Sequence, residues 1–136
     1  MHILQQSISG FPAFLLYFVV SLVLLGLFLA VYVRVTPYQE IPLIRQGNVA
    51  ASISLSGAML GFAIPLANSI RQAANLPDMV LWGVIALVVQ ILVFVAVRAI
   101  IPGLARDIPE GKVAQGVFLG SLSVVTGILN AVSMTY

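Results

Sequence analysis

Charged residues leave four long stretches of this chain empty. None falls between His2 and Arg34, between Arg45 and Arg71, between Asp78 and Arg98, or between Lys112 and the end. Each gap is filled by an apolar run of about 20 residues or more, the length a helix needs to cross about 30 Å of hydrocarbon. The pattern predicts an all-α membrane protein with four spans, at about residues 11–33, 48–70, 79–101 and 113–135. Together they make a single integral membrane domain over 1–136. β-Barrel strands fit poorly, because the runs are too long and do not alternate. Punctuation agrees with the helices. Pro12 and Pro77 suit a first helical turn, where a missing N–H is harmless, and Asn48 after Gly47 can cap the second span. Pro37, Pro42, Pro102 and Pro109 fall in the connections.

The spans are of two kinds. The first and third, "FLLYFVVSLVLLGLFLAVYV" and "MVLWGVIALVVQILVFVAV", are bulky and suited to lipid. The second, "GNVAASISLSGAMLGFAIPLANSI", is crowded with small and polar residues. On a helical net Ser52, Ser56, Ala63 and Ala67 form one stripe, with Gly57 and Gly61 as a G-x-x-x-G on a neighbouring face. In the fourth span Gly116, Gly120, Gly127 and Ala131 form the corresponding stripe, with Ser123 beside it. Lipid supplies little hydrophobic force between helices, so small residues that let backbones approach provide the packing. The even spans are therefore expected inside and the odd spans outside. Gln90, Asn68, Thr126 and Asn130 are the deepest polar side chains; they can hydrogen-bond between helices or line a polar path.

The chain also matches itself. A shift of 64 positions brings Arg34 onto Arg98, Gly47-Asn-Val-Ala onto Gly111-Lys-Val-Ala, Leu55 onto Leu119 and Ala67 onto Ala131. The expectation is a tandem duplication, repeat one over about 11–70 and repeat two over about 75–136. With two spans each, the repeats keep the same orientation, about an axis along the membrane normal.

Composition sharpens the picture. Hydrophobic residues make up 61% of the chain and charged residues 7%, and the mean hydropathy is +1.14. A water-soluble surface needs far more charge. The net charge of +2 does not point to nucleic acid, because the basic residues are dispersed rather than clustered. The absence of cysteine excludes disulfides and thiolate metal sites. The opening "MHILQQS" lacks the basic residues of a signal peptide, and the long apolar run after it reads as a retained helix.

Arg34 and Arg45 lie in the first connection and Arg98, Arg106 and Lys112 in the third, against Arg71 alone in the second. The positive-inside rule therefore puts connections one and three in the cytoplasm and both termini outside. Tyr17, Trp82 and Tyr136 would then lie near the outer interface. Arg34, Glu40, Arg45, Arg98, Arg106, Asp107, Glu110 and Lys112 form a candidate cytoplasmic docking face, although simple pairing of solvated loop charges explains the same pattern.

Reactive chemistry is sparse. The only histidine is His2, at the start of the chain, and all four acids (Glu40, Asp78, Asp107 and Glu110) are expected in connections. The spans hold no ionisable group of the kind a proton pump or voltage sensor needs. No catalytic, metal or cofactor residue is expected, and the chain is not expected to be an enzyme.

The segments "TPYQEIPLIRQGNVAASISLSGAMLGFAIPL", "PDMVLWGVIALVVQILVFVAVR" and "GILNAVSMTY" resemble the YjfL family of bacterial inner-membrane proteins, and the resemblance runs over almost the whole chain. It implies a four-helix inner-membrane protein built of two related hairpins. It also implies an association with envelope-stress proteins or ATP-grasp ligases on the cytoplasmic side, and it transfers no catalytic residue. The functional expectation is a non-enzymatic homo-oligomeric scaffold or anchor in envelope maintenance, in contact with the lipid bilayer and cytoplasmic partners. The alternative is a small channel or permease for ions or small polar solutes, lined by Ser52, Ser56, Thr126, Asn130 and Gln90.

Overall fold

The structure is a computed structural model describing residues 2–134; Tyr136 and the His2 side chain lie outside the described residues. Among the described residues seven helices follow one another and there is no strand. They are α1 (His2–Ser9), α2 (Phe11–Val35), α3 (Glu40–Arg45), α4 (Val49–Gln72), α5 (Leu76–Ile100), α6 (Leu104–Asp107) and α7 (Val113–Ser133). The apolar helical stretches Ile3–Val35, Val49–Gln72, Leu76–Ile100 and Val113–Ser133 are each long and apolar enough to span a membrane. The four spans are where the charge gaps place them, with ends moved by a few residues.

Local chemistry sets the boundaries. Pro12 and Pro77 sit in the first turns of α2 and α5. The Asn48 side chain accepts from the Ala51 N–H at 2.9 Å and caps α4, and Asn75 does the same for α5 through Asp78. Gly47 and Gly111, just before the caps of α4 and α7, have φ of +87° and +80°. This left-handed conformation costs an L side chain free energy and suits glycine. The two stretches that enter the second and fourth spans thus turn the same way, 64 residues apart. The Asn48 amide also donates to the Ile108 and Pro109 carbonyls at 3.1 Å, tying the first connection to the third.

Helix α4 is the centre of the bundle. Its buried positions run Ala50, Ala51, Ser54, Leu55, Gly57, Ala58, Gly61, Phe62, Pro65, Leu66 and Ser69, a broad stripe at helical period. Two modes of packing meet on it. Toward α2 and α5 the filling is aromatic. Phe28 stacks on Phe62 with ring centroids 4.6 Å apart, Phe28 and Tyr32 lie 5.4 Å apart, and Tyr32 meets Phe94 edge-on at 5.6 Å.

Toward α7 the filling is backbone. A Cβ placed on Gly57 would lie 2.3 Å from the Gly120 Cα, and one on Gly127 would lie 2.2 Å from the Gly61 carbonyl oxygen. One on Gly116 would lie 2.5 Å from the Ala50 carbonyl oxygen. These contacts advance together along both helices, so α4 and α7 run parallel, as alternate spans of a four-pass chain must.

The even spans do bring small faces together. The fourth departs from the expectation in one respect. Its buried residues, Gly116, Leu119, Gly120, Ser123 and Gly127, form a single narrow stripe, and α7 is no more enclosed than α5. Only its side toward α4 and α5 is inner.

The glycine seam makes a prediction with a built-in control. Gly57→Ala and Gly127→Ala force backbone apart and are expected to lose about 1–3 kcal/mol of stability or more. Gly26→Ala places its methyl where nothing lies within 4 Å and is expected to be neutral or to gain up to about 1 kcal/mol. Thermal unfolding in mild detergent measures all three, and equal midpoints for Gly57→Ala and Gly26→Ala would contradict the seam.

Candidate functional site

Two polar features stand out from this apolar bundle. The first lies mid-membrane. Gln90, on α5, is 1% exposed, and its Nε2 donates to the Ser123 carbonyl of α7 at 3.0 Å. The Ser123 hydroxyl in turn donates to the Leu119 carbonyl at 3.1 Å. Gly61 explains how the amide fits, since a Cβ there would stand 2.7 Å from that nitrogen. Gln90 is a hydrogen-bonded tie from α5 to α7 that packs against Gly61 of α4, and its Oε1 is buried without a hydrogen-bond partner. Near the far end Asn68 plays a similar part. Its amide donates to the Ala131 carbonyl at 3.0 Å, and its oxygen accepts from Arg71 and Gln72 at 3.1 Å.

The other candidate positions divide between two places. Gly57, Gly61, Gly116, Gly120 and Gly127 are consumed in the α4–α7 seam, where the backbones leave no room for a solute to pass between the two helices. Ser52 and Ser56 lie outside the seam. They line a groove of about 500 Å³ on the open side of the pair, with Leu60, Val117, Ser121 and Val125. A second groove of about 760 Å³, lined by Ile64, Ala67, Arg71, Ile128 and Ala131 among others, lies further along the same two helices. Ser52 satisfies its hydroxyl within its own helix, donating to the Val49 carbonyl at 3.0 Å. Thr126 and Asn130 are half-buried on α7, and the Asn130 Nδ2 is buried without a hydrogen-bond partner.

The second feature corrects the sequence reading. Glu40 was grouped with exposed loop charges as part of a docking face, yet it opens the short helix α3 with 1% of its surface exposed, so it cannot present charge to a partner. The connection after α2 folds inward. Thr36 and Glu40 stand four residues apart, and the Thr36 hydroxyl reaches Glu40 Oε1. The carbonyls of Val33 and Tyr38 lie 3.3 Å from the same hydroxyl. The rings of Tyr32 and Tyr38 converge on Phe94, Tyr38 at 6.5 Å. Ser54 faces both phenols from α4.

Electrostatics follows from this enclosure. Burial pushes the Glu40 carboxyl up from 4.5 to about 7, with the Thr36 hydroxyl pulling the other way. Burial raises the Tyr38 phenol to about 12; the Ser54 hydroxyl opposes this and the Glu40 charge adds to it. The site therefore holds a carboxyl that changes charge near neutral pH beside a phenol that stays protonated.

The sequence reading missed Tyr32, Thr36, Tyr38 and Ser54. A faint signal existed in "YVRVTPYQE", where an acid follows closely on two tyrosines and a threonine. Most of the remaining docking candidates are exposed, and Asp107 is half-buried. Arg34, Arg45, Arg98 and Arg106 are exposed. Lys112 pairs at 3.2 Å with Asp107, whose side chain is 14% exposed, and at 3.6 Å with the exposed Glu110; a solvated pair such as the second is worth little in stability. Among the described residues no group of three or more histidine, cysteine or acidic side chains gathers as a metal site.

Comparison with known proteins places this architecture. The family described as Domain of Unknown Function (DUF350) matches residues 6–134. The chain is 40% identical, over the full length of both, to the UPF0719 inner membrane protein YjfL of Escherichia coli strain K12. It is also 33% identical over 91 residues to the UPF0719 transmembrane protein YshE of Bacillus subtilis strain 168, covering 67% of this chain and 68% of the relative. No solved structure matches.

The raised Glu40 carboxyl has a signed consequence. The folded chain holds its proton up to about pH 7, whereas an unfolded chain releases it near 4.5. Stability contributed by the protonated form is full below 4.5, falls as pH rises to about 7, and is lost above it. The loss is on the order of 2–4 kcal/mol. Glu40→Gln keeps the shape without the charge, so in buffer free of sodium and potassium it is expected to flatten that slope and to be more stable than wild type at about pH 8. Unfolding midpoints across the pH range decide it; parallel curves for the two proteins would refute the burial argument.

Proposed function

The chain belongs to the DUF350 family and is a multi-pass inner-membrane protein, and from that premise we propose that it is a non-enzymatic subunit of a homo-oligomeric membrane scaffold. One observation carries this reading. The open side of α4 and α7 bears grooves near both ends of the pair, lined in part by Ser52, Ser56, Gly57, Gly120 and Ser121, while α2 and α5 cover the opposite side only. Helices in lipid associate through such small-residue surfaces, and a second copy laid on this face would enclose it. The scaffold would hold cytoplasmic partners in envelope maintenance, through the exposed Arg34, Arg45, Arg98 and Arg106 and the Asp107–Glu110–Lys112 cluster. The placement of basic residues supports this orientation, with both termini outside. The same reading treats the two hairpins as tandem repeats. Its support is the pair of left-handed glycines at 47 and 111 and the parallel course of α4 and α7.

The alternative, a small channel or permease, has one observation in its favour: the serines of the open face. Because the α4–α7 seam is closed by backbone contact, a path would have to run between copies and be lined by Ser52 and Ser56.

Bulk on the open face separates the readings. Ser56→Phe and Ser121→Phe are expected to leave the monomer folded and to reduce the mass of the particle in mild detergent. Ser52→Ala and Ser56→Ala are expected to change neither mass nor ion flux in reconstituted vesicles, since alanine is also small. A wild-type particle of monomer mass in lipid nanodiscs would end the oligomer reading. Intact mass with altered flux in the alanine variants would favour the channel. Reporters fused after Arg106 are expected to read cytoplasm, and the opposite result would remove the docking face.

A further inference from the structure

Four polar oxygens at the α3 end of the bundle are buried and have no hydrogen-bond partner: Tyr32 Oη, Tyr38 Oη, Ser54 Oγ and Glu40 Oε2. Their residues are 0%, 6%, 0% and 1% exposed. Buried polar atoms without partners are rare in folded proteins, and each costs free energy unless something meets it. Here they are neighbours. The Ser54 hydroxyl approaches both phenols closely enough to act on them as a hydrogen-bonding group, and the Glu40 carboxylate acts electrostatically on both rings, yet none of these approaches reaches full hydrogen-bond geometry. Thr36 occupies the other carboxylate oxygen, so Oε2 is left for a further partner. No lysine or arginine forms a salt bridge with Glu40 among the described residues.

We propose that these groups form a binding site for a monovalent alkali cation, sodium or potassium, held by Glu40 Oε2 and the hydroxyl oxygens of Ser54, Tyr32 and Tyr38. The chemistry of the donors selects the class. All are hard oxygens, with no imidazole or sulfur among them, which disfavours zinc, copper and iron. A single carboxylate balances one positive charge; calcium sites recruit more charge and six to eight oxygens. A cation here would answer the unsatisfied oxygens and neutralise a carboxylate that the protein otherwise buries alone. The site joins α2, the connection to α3, and α4, so its occupancy would brace the connection that bears Arg45. This reading does not depend on the scaffold proposal, because a bound cation is compatible with either function.

The test uses the full chain in lipid nanodiscs at about pH 8, where Glu40 is ionised, comparing sodium chloride, potassium chloride and N-methylglucamine chloride at constant ionic strength. Linkage makes the unfolding midpoint rise with the concentration of a cation that binds only the folded state. We expect sodium or potassium to raise it by several degrees between about 1 and 100 mM, with no rise in N-methylglucamine. Glu40→Gln is expected to abolish the rise while remaining folded. Ser54→Ala, a small change at one donor, is expected to shift the dependence to about tenfold higher cation concentration. Equal midpoints in all three salts would mean that water alone meets these oxygens, and would overturn the proposal. A rise that survives unchanged in both Glu40→Gln and Ser54→Ala would place the cation elsewhere and overturn it equally.

Discussion

Backbone contact between α4 and α7 is the constraint from which the rest of the bundle follows. Lipid tails are as apolar as leucine, so helices in a membrane gain little by hiding apolar surface from them. What holds a pair together is the number of atoms brought to van der Waals distance, and that number is greatest when no side chain intervenes. Gly57 against Gly120 and Gly61 against Gly127 achieve this, at spacings where even a methyl group would overlap backbone. The parallel pair then becomes the floor on which α2 and α5 are laid, through the bulky rings of Phe28, Phe62 and Phe94.

That seam also organises the polar groups. A glutamine in the hydrocarbon region needs an acceptor, and Gln90 finds one only because Gly61 is small enough to let the amide reach the Ser123 carbonyl. At the α3 end, the same close approach carries the first connection against the third, where Asn48 bonds to the Ile108 and Pro109 carbonyls. With α4 central, Ser54 is buried beside Tyr32 and Tyr38, and Glu40 is buried close to the same two rings. The buried carboxyl is thus a consequence of bundle geometry as well as of the connection's own sequence.

The bundle is asymmetric: α2 and α5 cover one side of the α4–α7 pair and the other stays open. On the covered side Gln90 meets the Ser123 carbonyl within the chain. On the open side serines such as Ser52 turn back on their own helix, which lets them face either lipid or another helix at little cost.

The four spans, their approximate ends, the caps at Asn48 and the helix-starting prolines were legible in the sequence, because each is decided within one or two turns of the chain. Hydrophobic length and local hydrogen bonding do not wait for distant residues. The small-residue stripes were legible as packing surfaces too, since glycine at four-residue spacing has few other uses in a membrane helix. Their partner was not, and only the tertiary structure decided that the stripes of α4 and α7 meet one another within the chain and that α7 is inner on one side alone. Glu40 shows the gap most clearly. In sequence it is one acid among loop charges, set apart from Asp107 and Glu110 only by the nearby Thr36 and Tyr38. Its neighbours Tyr32 and Tyr38 pack on Phe94, 54 residues from Glu40 along the chain, and desolvation is set by everything that surrounds a group in space and not by its neighbours along the chain.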